Sequence, residues 1–320
     1  MGIIEPYRKK TMAAIFELPH FQDVDKAREY LENLRWANGV VCPHCAVIGG
    51  HYQLQGKSTR PGVYKCAACS DQFTVTVGTV FERSKIKLHI WLQAVHLMSA
   101  SKKGISAKQI ERMLGVSYKT AWFMCHRIRE AMTTDTNTDK MGGPGTIVEA
   151  DETYWGNLYK ARAGVGHKMK VVSLVERESG KKRSFHVANV TSDTVEAVLK
   201  SQVHAETHLM TDESNVYKRV GKHFSAHSTV NHGKKEYALG NVTSNTVEAS
   251  FAIFKRGLNG TFHSVSERHL QRYATEFDFK WNFRSANGFN DIERADATLK
   301  GIAGKRLSYR PIDGKQSAHL

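Results

Sequence analysis

NTVEASFAIFKRG, from Asn245 to Gly257, has the pattern of an amphipathic helix. Its apolar stripe is formed by side chains spaced four, three and four residues apart: Val247, Phe251, Phe254 and Leu258. Glu248 and Lys255 lie seven positions apart beside that stripe. Because a helix turns by about 100° per residue, the two charged side chains are expected on one flank, about 20° apart. Taken alone, this pair of charged residues indicates a solvent-exposed edge of the helix. A functional interpretation therefore depends on acids elsewhere in the chain.

Two acids earlier in the chain give that flank a chemical interpretation. Asp151 lies in the strand-like segment VEADETYWG, and Asp212 closes the strand-like segment AETHLMTD. Individually, Asp151 fits an exposed strand position and Asp212 fits a helix cap. In order, they place an acid on a first strand, an acid at the end of a later strand, and Glu248 on a following helix. This is the layout of ribonuclease-H-like phosphoryl-transfer enzymes, whose carboxylates hold two Mg²⁺ about 3.5–4 Å apart.

Composition narrows the class of protein and its partners. The 320 residues are enough for two or three domains, and a hydrophobic fraction of 41% can supply their cores. The net charge of +15 and the pI of about 9.6 favour a polyanionic partner, with nucleic acid as the first candidate. The sequence has no run of about 18 apolar residues and no signal-peptide pattern, so we expect a cytoplasmic protein.

Four of the five cysteines form two CxxC pairs. They are Cys42, Cys45, Cys66 and Cys69, with twenty residues between the pairs. Both thiolates of a pair can reach one tetrahedral Zn²⁺, and two pairs on two hairpins supply all four ligands. The surrounding runs of Gly, Thr, Val and aromatic residues predict small strands. Residues 37–82 are therefore expected to form a zinc ribbon held by one structural zinc ion.

Residues 83–132 have helical spacing. After a first helix, SAKQIERMLGVSYKTAWFMCHRIREAM predicts two helices separated by a tight turn at Gly115-Val116-Ser117. This is helix-turn-helix spacing, although an ordinary three-helix bundle also fits it. The basic residues Lys119, Arg127 and Arg129 on the second helix favour DNA contact.

The remaining segments complete a multidomain α/β chain. A hairpin, a helix and further strands predict a mixed α/β sheet, followed by two helices. The polar, glycine-rich TTDTNTDKMGGPG predicts a linker. The expected divisions are a helical lead at 1–36, the zinc ribbon at 37–82, the helix-turn-helix region at 83–132, the linker at 133–145, a ribonuclease-H-like mixed α/β catalytic domain at 146–287 and a basic tail at 288–320.

Several segments resemble bacterial insertion-sequence transposases of the DDE type, in the group with an N-terminal zinc ribbon and a helix-turn-helix. RWANGVVCPHC and YKCAAC resemble that group's ribbon, while VEADETYWG and MTDESNVY resemble its first two catalytic strands. NTVEASFAIFKRGLNGTFHSVSERHLQRYATEFDFKWNFR resembles its third-acid helix and the continuation of that helix. The resemblance extends over roughly residues 15–285.

The resemblance implies catalytic roles for particular residues. Asp151 and Asp212 are the first two ligands of Mg²⁺ (or Mn²⁺). The third position varies among related transposases between Glu, Asn and His, followed by Lys, and here the spacing selects Glu248 and Lys255. Asn245 is the alternative, but on the helix it lies about 60° further from the apolar stripe than Glu248. Arg256 is expected to add a contact to the DNA backbone.

The implied function is DNA transposition. The protein is expected to bind the terminal inverted repeats of its element, cleave a strand at each end and transfer it to target DNA. Because two DNA ends must be held together, we expect a homo-oligomer associated with the bacterial nucleoid in the cytoplasm. Two alternatives remain: a ribonuclease-H-like nuclease or resolvase that cuts without joining, and a non-catalytic zinc-ribbon DNA-binding regulator. The regulator accounts for residues 1–132 but gives no reason for the ordered acids.

Overall fold

The computed structural model describes residues 15–134, 139–156, 168–230 and 243–308. The helices in these ranges are α1 Pro19–Gln22, α2 Val24–Arg35, α3 Leu88–Ala100, α4 Ala107–Leu114, α5 Tyr118–Ala131, α6 Ser192–Gln202, α7 Asn215–Val220, α8 Asn245–Gly257, α9 Glu267–Asn282 and α10 Asp291–Lys300. The strands are β1 His51–Gln53, β2 Tyr64–Cys66, β3 Gln72–Phe73, β4 Ile147–Trp155, β5 Met169–Glu176, β6 Lys182–Val187, β7 His208–Asp212 and β8 Ala226–Val230. None of the helices in these ranges combines the length and apolarity needed to cross a bilayer.

The chain divides into two compact units. One contains the residues up to 101, residues 105–132 and those from 291 onward, and the other contains residues 102–104 and 133–290. In the first unit, helices bury Leu31, Trp91 and Ile128 almost completely. The same unit carries a small antiparallel sheet in the order β1-β2-β3.

The end of the chain differs from the basic tail expected at 288–320. Asp291–Lys300 forms α10, which buries Ala295 and Leu299 in the first unit. The guanidinium of Arg294 donates to the carbonyl of Ser99 at 3.2 Å, and the hydroxyls of Ser99 and Thr298 lie 3.1 Å apart. The prediction followed the basic composition of the whole tail and missed the helical spacing within DIERADATLK. Residues 309–320 lie outside the described residues.

The second unit is built on a five-stranded mixed sheet in the order β6-β5-β4-β7-β8. β4, β5 and β6 pair antiparallel, whereas β4 with β7 and β7 with β8 pair parallel. The mixed α/β class expected for this half of the chain is confirmed.

Residue alternation along β4 separates two faces of this sheet. Val148 and Ala150 point into a core that also contains Leu199 of α6 and Tyr217 of α7. The intervening residues of β4, beginning with Glu149, point to the opposite face, which α8 covers. α8 and α9 pack on each other at Phe254 and Phe277, whose ring centroids are 5.3 Å apart. Both faces of the sheet therefore pack apolar side chains, and the face under α8 also carries Glu149 and Asp151.

The segment expected as a linker, 133–145, is part of the second unit where it is described. Met141 is fully buried, its N–H donates to the carbonyl of Gln202 at 2.7 Å, and its carbonyl accepts from the N–H of His204 at 3.0 Å. Gly142, with φ of +79°, lies where a Cβ would come within 2.2 Å of the Thr207 hydroxyl. These glycines predicted a linker by composition, but they serve a tight turn against the sheet. Residues 135–138 lie outside the described residues.

Candidate active site, metal site and DNA-binding helices

The two predicted aspartates lie on neighbouring parallel strands. Glu149 of β4 is paired with Met210 of β7, and Asp151 and Asp212 each follow two residues later. Because side chains alternate along a strand, both aspartates leave the sheet on the face that carries Glu149. Adjacent strands lie about 4.8 Å apart, so this register brings the two carboxylates together.

Glu248 reaches the same face from the first turns of α8. Its Oε1 accepts a hydrogen bond from the Ser244 hydroxyl at 2.7 Å. The charges of Asp212 and Glu248 both raise the pKa of Asp151, so the structure brings all three predicted acids into one electrostatic cluster. Asn245, the alternative third residue, is exposed at the first position of α8.

The two predicted basic residues of α8 lie further along that helix. Lys255 is half-buried two turns after Glu248, and Arg256 is exposed. The Arg256 Nε donates to the carbonyl of Ala252 at 3.1 Å, which directs this part of the side chain along its own helix.

Burial and mutual repulsion shape the electrostatics of this cluster. Burial raises the pKa of Asp151 to about 8, and the neighbouring charges of Glu152, Asp212 and Glu248 act in the same direction. Glu152, the next residue of β4, leaves the strand on the opposite face, and the sequence alone assigned it no role. Its pKa is also raised by burial, and its Oε2 accepts a hydrogen bond from the buried Tyr217 hydroxyl at 2.7 Å. The sequence feature that could have indicated Glu152 is its position directly after Asp151 in VEADETYWG.

The donor chemistry of this cluster fits a hard divalent cation. Carboxylate oxygens are the ligands that Mg²⁺ prefers, and a bound cation would favour the charged form of Asp151, whose pKa is raised by burial and, to a smaller extent, by the neighbouring acids. Among the described residues, the acids do not form a group whose ligand atoms all lie within 4.8 Å of one another, as the four cysteines do. A pair of ions about 3.5–4 Å apart needs a wider set of ligands than a single ion does.

The four cysteines of the ribbon form a compact metal site. Their Sγ–Sγ distances are 3.7 Å for Cys42–Cys69 and 3.6 Å for Cys45–Cys66, and all four sulfur atoms lie within 4.8 Å of one another. A tetrahedral site with Zn–S bonds of about 2.3 Å has edges of about 3.8 Å. The arrangement therefore fits a single zinc ion with no open coordination position.

α4 and α5 are joined by the three-residue turn that the sequence predicts. Gly115 ends α4 with φ of +64°, a conformation that glycine adopts without strain. Ser117 caps α5, and its hydroxyl accepts from the N–H of Thr120 at 3.3 Å. Lys119 is exposed in the first turn of α5.

Arg127 and Arg129 do not have the surface position that DNA contact requires. Only 7% of Arg127 and 2% of Arg129 are exposed. The Arg127 Nη2 donates to the carbonyl of Glu82 at 2.7 Å, and its guanidinium lies over the ring of Trp91. Burial lowers the pKa of Arg127. The prediction used the charge of these residues without knowing which side of α5 packs against the rest of the unit.

Two known domain families match this chain, one in each half of the sequence. Residues 141–282 match the ISXO2-like transposase domain, and residues 23–72 match the transposase zinc-ribbon domain. Together the two matches span more than half of the chain. An uncharacterized protein in transposable element ISH50 of Halobacterium salinarum (strain ATCC 700922 / JCM 11081 / NRC-1) is 27% identical over 277 residues, which are 80% of this chain and 90% of that protein.

Solved structures with some similarity are viral integrases. The catalytic core domain of BIV integrase aligns with a TM-score of 0.29 and 15% identity, over 40% of this chain and 80% of that one. The HTLV-2 integrase catalytic core domain in complex with magnesium aligns with a TM-score of 0.28 and 20% identity, over 41% of this chain and 83% of that one. A TM-score below 0.5 does not establish a common fold, so the assignment rests on the family models and the transposable-element relative. The chain matches the insertion-sequence transposases of the DDE type that carry an N-terminal zinc ribbon.

Proposed function

We propose that this transposase cleaves DNA at the ends of its element and joins the freed ends to target DNA at the cluster of Asp151, Asp212 and Glu248. The observation that carries the proposal is the convergence of three acids from β4, β7 and α8 on one face of the sheet, where their charges act on one another. Such a cluster is costly in a folded protein unless a cation or substrate uses it.

The chemistry consists of two phosphoryl transfers. Water attacks the phosphodiester at the element end, the bond from phosphorus to the 3′-oxygen of the element breaks, and a 3′-hydroxyl is freed. That hydroxyl then attacks a phosphodiester of the target, forms a new phosphorus–oxygen bond and releases a target 3′-hydroxyl. Divalent cations bound between such carboxylates stabilise the attacking and leaving oxygens of an in-line displacement.

The residues of this chain have separate roles in the proposal. Asp151, Asp212 and Glu248 would hold two Mg²⁺ or Mn²⁺ ions, because their oxygens are hard donors on a shared face. Lys255 would steady a phosphate of the DNA, and exposed Arg256 would add a salt-sensitive backbone contact.

Recognition of the element ends is assigned to the first unit. The zinc ribbon of Cys42, Cys45, Cys66 and Cys69 would hold one structural zinc ion. α5 would enter the major groove with the residues of its first turn, where Lys119 is exposed. Two DNA ends must be held at once, so we propose a homo-oligomer that works on the nucleoid in the cytoplasm.

A strand-transfer assay tests the proposal against its alternatives. The full chain is incubated with MgCl₂, a labelled duplex from the inverted repeats that flank its own gene, and a supercoiled plasmid. Labelled plasmid that forms only with Mg²⁺ supports a transposase. Cleaved duplex without joining would indicate a nuclease or resolvase, and binding without metal-dependent chemistry would indicate a regulator.

A further inference from the structure

A second carboxylate on the acid-bearing face of β4 has a different environment from Asp151. Glu149 is fully buried and lies two residues before Asp151 on the same strand face. Its Oε1 accepts from the Nε and Nη2 of Arg177 at 3.0 and 2.7 Å and from the Thr246 hydroxyl at 3.0 Å. Its Oε2 accepts from the backbone N–H groups of Thr246 and Val247 at 2.9 and 3.0 Å. Five hydrogen bonds occupy this carboxylate, so it has no free lone pair with which to hold a cation.

The two N–H groups that Glu149 binds belong to the first turn of α8. The first N–H groups of a helix have no partner within the helix, and the helix dipole favours a negative charge beside them. Glu149 supplies that charge from the neighbouring strand, 97 and 98 residues earlier in the chain. This interaction fixes both the height and the rotation of α8 relative to β4.

Arg177 extends the connection to the adjoining segments. Its Nη2 also donates to the carbonyl of Thr243, at the start of the turn into α8, at 3.0 Å. The same nitrogen lies 3.3 Å from the sulfur of Met210 in β7. The Nη2 of Arg177 thus contacts β4, β7 and the start of α8 together, and its Nε adds a second hydrogen bond to Glu149.

Each of these contacts lies next to one of the proposed metal ligands. Glu149 is two residues before Asp151, Met210 is two residues before Asp212, and Val247 is one residue before Glu248. We infer that the Glu149–Arg177 pair is a positioning device that sets the spacing of the three acids for divalent-cation binding. The inference rests on the proposed function, and Glu149 acts through the acids and not on substrate.

The test compares the Mg²⁺ dependence of variants. Glu149→Gln keeps the size of the side chain but removes the charge that Arg177 and the helix terminus bind. Arg177→Lys keeps the positive charge but loses one of the two nitrogens that bind Glu149. It is the milder change and replaces Glu149→Gln in the test if that variant fails to fold. The matched control is Asp278→Asn, which breaks another buried ion pair of the same unit, with Lys182 at 3.2 Å.

Two readouts are measured on the full chain. The first is the MgCl₂ concentration that gives half of the maximal rise in melting temperature, in the absence of DNA. The second is the MgCl₂ concentration that gives half-maximal cleavage of the element-end duplex. Loss of a group that orients metal ligands reduces metal affinity by about 10- to 100-fold. We expect both concentrations to rise by about that factor in Glu149→Gln and by less in Arg177→Lys, whereas Asp278→Asn lowers the melting temperature and leaves both unchanged.

The outcomes separate this inference from the proposed function. If the wild type responds to Mg²⁺ in both readouts and Glu149→Gln and Arg177→Lys lose only stability, as the control does, the positioning role is wrong and the proposed function stands. A wild type without any response to Mg²⁺ contradicts the proposed function and the positioning role together.

Discussion

At the scale of single residues, the third acid is distinguished from its alternative by its surroundings. Glu248 is half-buried, is held by the Ser244 hydroxyl and acts on the charge of Asp151, whereas Asn245 is exposed on the first turn of α8. These surroundings favour Glu248 as the proposed third ligand.

Substitution at these two positions gives opposite expectations. Glu248→Gln should remove Mg²⁺-dependent cleavage, because an amide oxygen replaces a charged ligand. Asn245→Ala should retain it within about threefold, because an exposed helix residue costs little to change. Initial cleavage rates at saturating DNA measure both. Loss of activity only in Asn245→Ala would reject Glu248 as the third ligand.

His20 is a residue whose protonation opposes folding of the first unit. Its ring stacks on Tyr30 at 4.1 Å, and burial, with a smaller effect from the charge of His96, lowers its pKa from 6.5 to about 4. Because the folded state binds this proton less readily than the unfolded state, the stability contributed by neutral His20 is complete above pH 6.5. That stability is lost as the pH falls from 6.5 towards 4.

His20→Phe keeps a stacking ring and removes the titration. Its melting temperature should therefore fall less than that of the wild type between pH 6.5 and pH 4. Scanning calorimetry across this range measures the difference, and parallel curves for the two proteins would show that His20 does not contribute to acid destabilisation.

At the scale of elements, the two ends of α5 differ in exposure. The first turn exposes Lys119, while the last two turns bury Arg127 and Arg129. In the proposed mode of DNA binding, the exposed lysine contributes through its charge beside phosphate, whereas a buried arginine contributes through its hydrogen bonds to the protein.

Lys119→Ala and Arg127→Met separate these contributions. Lys119→Ala should weaken DNA binding and reduce the slope of log affinity against log salt by about 1. Arg127→Met should lower the melting temperature, since the Glu82 carbonyl loses its donor, while the salt slope stays unchanged. Fluorescence anisotropy over a salt series and calorimetry measure these effects. A reduced salt slope in Arg127→Met would return this residue to the DNA interface.

At the scale of the whole molecule, the chain returns to its first unit after completing the second. Leu299 of α10 is 3% exposed and lies within a unit formed mainly by residues before 133. Leu299→Ala should therefore cost about 2–5 kcal/mol of unfolding free energy, as expected for a buried leucine. Lys300→Ala, on the exposed side of the same helix, should change it by less than about 0.5 kcal/mol. Denaturant unfolding of both variants measures these changes in free energy. Equally small changes would indicate that α10 does not pack into the first unit, as the basic composition of the tail suggested.

Features with a local signal were predictable from the sequence. The apolar period of α8, the two CxxC pairs and the placing of the acids on a strand, a strand end and a helix each occupy a short window of residues. Features that depend on distant packing were not. Arg294 binds the carbonyl of Ser99 across 195 residues, and Glu149 binds the start of α8 across 97. The prediction of DNA contact for Arg127 therefore rested on its charge alone, and no local pattern indicated the role of Glu149.

Asp151→Asn tests the proposed active site most directly, because Asp151 is the acid on which the charges of Asp212 and Glu248 both act. Anisotropy with the element-end duplex and the strand-transfer assay are run on the same preparation in MgCl₂. We expect cleavage and joining to fall to background while DNA affinity stays within about threefold of the wild type, because phosphate contacts by basic residues supply that affinity. Cleavage at the wild-type rate by this variant would contradict the assignment of the active site.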